Sequence, residues 1–307
     1  MEGEIKRTSG LSEAVGYNEK EKNQLHADAE DVFNEQFFEE WEREITPEER
    51  EIIEGILSKL PEFVERYGGK PLPITEDHVH IVDEEKATEE IKKQFNDAGG
   101  KYSFVDQAVI IRMEPDLPHG KNKLNFAQKV LHEFLHFSSF QSYQKDNKYG
   151  AKERRCGFSV RMRGGTEFYF DNIEEALIQE ATIMFDEEYF LGIPALFEEL
   201  QKREAVREKI KAEGVLPADM VAMAGQNGEP IAYAYFAEIY KLRELIHNIY
   251  LANKDTVSSE KGVKDEFLRA VFSGRLLKVV KMVEKWGGKG AFRRLGAITK
   301  RDRGIKR

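Results

Sequence analysis

Apolar side chains recur at helical spacing in the first part of the chain. From Glu30 onward they form one stripe on an acidic segment, which predicts a helix; the stripe consists of Val32, Phe33, Phe37, Trp41 and Ile45. A second helix is predicted to begin at Pro47, because Thr46 can cap its N-terminus and Glu49 completes a capping box. The glycines at 68 and 69 end this helix.

The middle of the chain changes to the two-residue alternation that is typical of strands. Strands are predicted at His78–Val82, Tyr102–Phe104 and Ala108–Met113, with an amphipathic helix, Glu84–Asn96, between the first two. His78 and His80 share one face of their strand. A structural strand pair is preferred for them over metal ligands, because no carboxylate lies at ligand spacing nearby.

A helix containing residues 132–136 follows, and Asn125 is expected to cap it, with Gln128 three residues on. A glycine-rich hairpin with its turn at Gly164-Gly165 comes next. Further helices are predicted at 171–190, 194–213, 231–251 and 264–286. The order of helices, strands and then helices predicts an α+β fold.

Four segments are expected along the chain. Residues 1–28 are polar without apolar periodicity and are predicted to be disordered. Residues 29–70 form an N-terminal helical unit, residues 71–260 a mixed domain, and residues 261–307 a basic helical segment.

Charge is distributed unevenly along these segments. The chain has a net charge of −9, yet residues 261–307 contain 15 Lys and Arg against four Asp and Glu. Such a segment can contact nucleic acid or form a solvated helix face, and the second interpretation is preferred because no nucleic-acid motif accompanies it. Short apolar runs and the absence of a signal-peptide core predict a cytoplasmic protein without a membrane partner. The single cysteine, Cys156, excludes an intrachain disulfide and is expected to be a partly buried thiol.

Residues 132–136 read HEFLH, an HExxH motif in a predicted helix. His132 and His136 are one helical turn apart on the same face, so both imidazoles can bind one metal ion. Glu133 can then take a proton from a water that the metal activates. With seven histidines in 307 residues, chance would give the motif in about three of a hundred such sequences. The motif therefore predicts a zinc site, against the alternative of a core helix with incidental histidines.

Zinc needs a third protein ligand, and the second helix downstream offers carboxylates in its first turns. Glu175 is preferred, because Gln179 lies one turn later and can orient either this carboxylate or an imidazole. Glu174 and Glu180 remain alternatives. Either of the two adjacent glutamates can instead belong to a capping box at the start of the helix.

HEFLH followed by Glu174-Glu175-Ala176-Leu177 resembles the gluzincins, the thermolysin-like zinc metallopeptidases. In that class the third ligand lies in an Asn-Glu-Ala/Gly pattern on a following helix. Two other stretches, 102–113 and 155–160, resemble segments of uncharacterised bacterial zincin-like proteins. The chain departs from the pattern in two places: Glu174 replaces Asn, and Gln179 replaces a residue that is commonly acidic.

The resemblance covers roughly residues 75–190. It implies a zincin-like catalytic domain within 71–260, built from a small mixed sheet and an active-site helix. It also implies His132, His136 and Glu175 as zinc ligands and Glu133 as general base.

These observations predict a zinc metallopeptidase that hydrolyses a peptide or protein substrate. Tyr233, Tyr235 and His247 are candidates for stabilising the oxyanion of the reaction. The strand Ala108–Met113 is expected to line the cleft and to pair with an extended substrate. Two alternatives stay open: a zincin-like metal-binding regulatory or interaction protein without turnover, and a nucleic-acid-associated factor that uses the basic segment.

Overall fold

A four-stranded mixed sheet lies against the helix that contains residues 132–136. The computed structural model describes residues 13–15, 40–89, 92, 99–103, 107–113, 122–146, 150–162, 167–214 and 217–299. The strands of the sheet are β2 (Glu42–Arg43), β3 (Val79–Val82), β4 (Gly100–Ser103) and β5 (Ala108–Ile111). Their order is β2-β3-β5-β4, with β3 and β5 parallel and β4 antiparallel to β5. β4 therefore lies at one edge of the described sheet.

A second sheet follows the motif helix in the chain. It has the order β1-β6-β7-β8-β9, and its strands are β1 (Glu13–Val15), β6 (Gln141–Asp146), β7 (Gly150–Cys156), β8 (Ser159–Arg161) and β9 (Phe168–Tyr169). β1 runs parallel to β6, and the other neighbours are antiparallel. The strands β10 (Val221–Ala224) and β11 (Pro230–Ala232) form a separate two-stranded antiparallel ribbon.

Eight helices are described. They are α1 (Pro47–Arg66), α2 (Lys123–Ser138), α3 (Asp171–Tyr189), α4 (Phe197–Glu213), α5 (Phe236–Ala252), α6 (Glu260–Ser273), α7 (Leu277–Gly287) and α8 (Ala291–Ile298). The mixed α+β class predicted from the pattern is confirmed. In the described part of the chain, no helix combines the length and the apolar character needed to cross a membrane.

One hydrophobic core includes side chains from nearly the whole described chain. Ile53 of α1, Phe134 of α2, Phe185 of α3 and Phe267 of α6 are all fully buried in it. Burial of each such side chain stabilises the fold by roughly 1.5–3 kcal/mol. The described part of the basic C-terminal segment, residues 261–299, is thus packed into the same core as the motif helix.

Backbone N–H groups at the start of α3 donate hydrogen bonds to carbonyl groups at the end of α8. Phe170 precedes the helix in the left-handed region, with φ 65°, and therefore cannot cap it in the usual extended conformation. Its N–H donates to the carbonyl of Gly296 at 3.2 Å, and the N–H of Asn172 donates to the carbonyl of Thr299 at 3.0 Å. Two of the donors that a helix start leaves unsatisfied are paired in this way.

The capping predictions have opposite outcomes in α1 and α2. In α1, Thr46 accepts from the N–H of Glu49 and the Glu49 carboxylate accepts from the N–H of Thr46, so the predicted capping box is confirmed. In α2 the predicted cap Asn125 is wrong. Asn122 caps that helix instead, through bonds to two backbone N–H groups. The amide of Gln128 is turned to Asp186 at 2.9 Å, because a buried carboxylate requires donors.

Several predicted boundaries differ from the structure. The helix expected from Glu30 gives way to strand β2 at its C-terminal end, and its earlier part lies outside the described residues. In the segment Glu84–Asn96, residues 84–86 form a turn, and residues 90, 91 and 93–96 lie outside the described residues. Disorder was expected over 1–28, yet Glu13–Val15 pair with β6, since main-chain bonding needs no apolar pattern. The helix expected at 264–286 is divided into α6 and α7 by Gly274, whose φ is 76°.

Candidate metal centre

Three side chains of α2 and α3 meet at one point. His132 and His136 lie one turn apart on α2, and Glu175 lies in the second turn of the neighbouring α3. Their ligand atoms all lie within 4.8 Å of one another. Glu175 Oε2 is 3.4 Å from Nε2 of each histidine. All three residues are buried, with exposed fractions of 7–9%.

This donor set fits a zinc ion. Zinc binds imidazole nitrogen and carboxylate oxygen at about 2.0–2.2 Å in a tetrahedral arrangement. Two corners of such a tetrahedron are about 3.3–3.6 Å apart, and the oxygen–nitrogen separations here are 3.4 Å. Two imidazoles and one carboxylate leave a fourth position free, as hydrolytic zinc sites require.

His136 and Glu175 act on each other electrostatically. Burial would lower the pKa of His136, but the Glu175 carboxylate, a hydrogen bond with Cys156 and the charge of Glu133 together outweigh burial, so that this pKa is well above its usual value. Burial would likewise raise the pKa of Glu175, yet the charge of His136 and bonds from both imidazoles hold it well below its usual value. The carboxylate is therefore ionised, as a metal ligand must be.

Glu133 points from α2 toward the edge strand β4. Its Oε2 accepts a hydrogen bond from the backbone N–H of Tyr102 at 2.6 Å. Burial raises the pKa of this carboxyl above its usual value, against the lowering effect of the two motif histidines. Gly100 leaves room for it, because a Cβ at that position would lie 2.9 Å from Glu133 Oε1. A carboxyl with a raised pKa beside a metal-ligand set suits proton transfer.

Glu174 lies on the other side of His136. It is 1% exposed, and its Oε2 accepts from the backbone N–H of Phe158 at 2.6 Å. Its Oε1 is 3.9 Å from Nδ1 of His136. Burial raises the pKa of Glu174 to about 7. The capping-box alternative for Glu174 is wrong, since its carboxylate is directed into the protein rather than to the helix start.

Glu180, the alternative third ligand, and Gln179, the candidate for orienting a ligand, lie in different surroundings. Glu180 is buried, and its carboxylate is paired with Arg243 and with Lys264 at 3.3 Å. Gln179 is buried, but in the described part of the chain its amide bonds neither Glu175 nor either histidine. The structure thus brings Glu175, and not Glu180, to the histidine pair.

The three oxyanion candidates occupy different places. The Tyr235 ring stacks on His132, with centroids 5.7 Å apart and planes at 13°. Its φ of 56° is uncommon for a tyrosine. Tyr233 is buried, and its hydroxyl donates to Asp186 at 2.7 Å. His247 is half exposed and lies 2.8 Å from Glu260. Among the described residues, only Tyr235 of these three contacts a motif histidine.

Tyr233 belongs instead to a buried polar network. Asp186 accepts from its hydroxyl, from the Gln128 amide and from the Arg203 guanidinium, which lies 2.8 Å away. Removing the hydroxyl of Tyr233 from this network would leave Asp186 with one donor fewer. The structure thus places the Tyr233 hydroxyl in this buried network.

Cys156, His80 of β3 and His78, which lies in a short 3-10 helix directly before β3, have structural surroundings. The Cys156 thiol is buried and donates to the carbonyl of His136 at 3.7 Å; burial raises its pKa to about 12. Nδ1 of His78 lies 3.1 Å from the Thr75 hydroxyl. Nδ1 of His80 lies 3.1 Å from the carboxylate of Glu42. The structural interpretation of both histidines agrees with these contacts.

The strand beside the site is β4, which corrects one expectation. The strand Ala108–Met113 is predicted to line the cleft, but the observed strand β5 in this stretch is paired on both sides, by β3 and β4. β4 begins at Gly100, two residues before the predicted strand Tyr102–Phe104, so the prediction does not include the glycine beside Glu133. A glycine at the start of a strand, two residues before an aromatic residue, is a weak signal in the sequence. The folded structure is needed to show that a Cβ at position 100 would crowd the Glu133 carboxylate.

Comparisons with known proteins give no relative. No family model matches the chain, no curated protein matches it, and no solved structure matches its fold. The resemblance to gluzincins therefore stays a prediction. The candidate centre is described by its own geometry alone.

Proposed function

We propose that the protein is a zinc-dependent hydrolase that cleaves peptide bonds. The observation that carries this proposal is the position of Glu175 Oε2, 3.4 Å from Nε2 of both His132 and His136, with Glu133 on the same helix as the histidines. Those three residues would hold the metal. When bound, zinc acts as a Lewis acid and lowers the pKa of water at its open position to about 7.

The chain supplies the proton acceptor. Glu133 lies one residue from the first ligand, buried and with a raised pKa, and its carboxylate is held by the N–H of Tyr102 at 2.6 Å. A general base is most effective when its pKa is close to the working pH. Glu133 would accept the proton of the attacking water and pass it to the leaving amine.

Tyr235 is the residue we assign to the developing oxyanion. Its ring is stacked on His132, and its left-handed backbone is of the strained kind that collects at functional sites. A hydroxyl donor at a zinc hydrolase site stabilises negative charge on the carbonyl oxygen of the substrate.

The position of β4 at the sheet edge favours a peptide as the substrate. Among the described strands, β4 pairs with β5 only, so one side of Gly100–Ser103 is not covered by another described strand. An extended peptide can bind to such an edge through main-chain hydrogen bonds. Tyr102 on this strand already contacts Glu133, so a bound peptide would lie beside the general base.

The test compares Glu133→Gln with the native protein for zinc content and for cleavage of a fluorescence-quenched peptide library. The variant should keep about one zinc per chain and lose roughly 10²–10⁴-fold in rate, the usual contribution of a general base. Glu198→Gln, on the exposed part of α4, is the control and should behave as the native protein does.

The outcomes distinguish the alternatives. A Glu133→Gln protein that cleaves at the native rate would overturn the general-base assignment. A native protein that binds zinc and cleaves no peptide would favour the metal-binding protein without turnover. A native protein that takes up no zinc would overturn the proposed metal site.

A further inference from the structure

We infer that Glu174 is a positioning residue: its carboxylate fixes the ring and the tautomer of His136 so that Nε2 faces the metal. This inference rests on the proposed zinc function and deepens it. An imidazole that binds a metal through Nε2 carries its proton on Nδ1, and a carboxylate beside that N–H orients the ring and increases its donor strength.

The two carboxylate oxygens of Glu174 have different surroundings, and both suit this role. Oε2 is held by the backbone N–H of Phe158 at 2.6 Å. Oε1 is buried and, within the described residues, has no hydrogen-bond partner. It lies 3.9 Å from Nδ1 of His136. A movement of about 1 Å would bring the two atoms to hydrogen-bond distance, and a buried carboxylate oxygen without a donor favours that movement.

A tight turn between β7 and β8 holds the carboxylate in place. Gly157 has φ 52°, and a Cβ at this position would collide with the Glu174 carboxylate. The Gly157 N–H donates to the carbonyl of Phe140 at 2.8 Å, and the Arg155 guanidinium donates to the carbonyl of Gly157. The turn is therefore fixed from both sides, and Glu174 has little freedom to leave His136.

The arrangement distinguishes Glu174 from the residue that the sequence suggested for this task. Gln179 lies one turn after Glu175, yet among the described residues its amide bonds neither histidine. Nδ1 of His132 is also buried without a partner in the described part of the chain. The Nδ1 atoms of the two histidines thus differ: among the described residues, a carboxylate lies beside Nδ1 of His136 and Nδ1 of His132 has no hydrogen-bond partner.

The experiment measures zinc affinity by competition with a chromogenic chelator, in the full-length protein at pH 7.5. Glu174→Ala should weaken zinc binding roughly 10–100-fold, as loss of a carboxylate behind a ligand histidine usually does. Glu174→Gln keeps an acceptor oxygen of the same shape without the charge, so it should lie between the native protein and Glu174→Ala. In ¹⁵N-histidine spectra of the zinc-loaded proteins, the Nδ1–H signal of His136 should shift in both variants.

Glu180→Gln is the matched control. Glu180 is equally buried on the same helix, but it is paired with Arg243 and Lys264 and touches neither histidine. This variant should be less stable than the native protein and keep zinc affinity within about twofold. A merely structural role for Glu174 would lower the melting temperature without moving the His136 signal.

Each outcome decides the inference. Native zinc affinity and an unchanged His136 signal in both Glu174 variants would overturn it while leaving the proposed hydrolase intact. Equal loss of affinity in Glu180→Gln would overturn it as well, because the effect would then belong to helix stability. A native protein without zinc affinity would overturn the inference together with the metal site.

Discussion

Zinc should stabilise the native protein against heat and have no effect on a Glu175→Gln variant. Glu175 supplies the one oxygen that lies 3.4 Å from both histidine nitrogens. An amide in its place removes the charge and leaves two ligands, which is fewer than zinc hydrolase sites use. The substitution preserves shape, so the surrounding core of α2 and α3 should remain packed.

The size of the effect follows from linkage. A ligand at 100 times its dissociation constant stabilises the folded state by about 2.7 kcal/mol. Unfolding a chain of 307 residues carries an entropy of about 0.65 kcal/mol/K, at roughly 2.1 cal/mol/K per residue. The melting temperature of the native protein should therefore rise by about 4 °C, and the variant should shift by less than about 1 °C.

The assay is differential scanning fluorimetry of both proteins after EDTA treatment and desalting, with and without zinc. Each protein is compared with itself, so any loss of stability from the substitution alone cancels. Magnesium at the same concentration is the control, because two imidazoles disfavour it. Equal zinc shifts in the two proteins would refute the assignment of Glu175, and no shift in either would refute the site.

Three further predictions concern the surroundings of the site. Gly100→Ala should retain zinc and lose about 10²-fold in hydrolysis, because its Cβ would lie 2.9 Å from Glu133 Oε1; a native rate in a zinc-loaded variant would contradict this. Asp186→Ala should lower the free energy of unfolding in urea by about 3–5 kcal/mol, since it leaves the buried Arg203 without its carboxylate, and a loss below about 1 kcal/mol would count against the network. Burial raises the pKa of Cys156 to about 12, so only roughly one thiol in 10⁴ is ionised at pH 8. Iodoacetamide should therefore label the native protein at least about 100-fold more slowly than the urea-unfolded protein, and comparable rates would contradict the burial.

The parts of the site that depend on local spacing could be predicted from the sequence. His132 and His136 share a helix face because they are four residues apart, and that helix also carries Glu133. The start of α3 was predicted within a residue, so Glu175 fell in the right turn. The capping box at Thr46 was predicted for the same reason, since both of its bonds lie within four residues.

Contacts that depend on the tertiary fold could not be predicted in this way. The N–H of Tyr102 reaches Glu133 only because β4 forms the sheet edge beside α2. The spacing of residues in the sequence does not indicate this contact. Tyr233 and Tyr235 are two residues apart, yet one bonds Asp186 and the other stacks on His132. Their separation follows from the left-handed backbone at Tyr235, which sequence patterns of a helix do not indicate.

The pairing of α3 with α8 has a consequence for the order in which the site is assembled during synthesis. The ligand histidines and Glu175 leave the ribosome well before Gly296 and Thr299, whose carbonyls accept the N–H groups at the start of α3. Chains emerge N-terminus first, at about 5–20 residues per second. The turn that carries Glu175 thus gains these acceptors only after residues 296–299 have emerged. The proposed metal site is therefore expected to become fully ordered only after α8 has been synthesised.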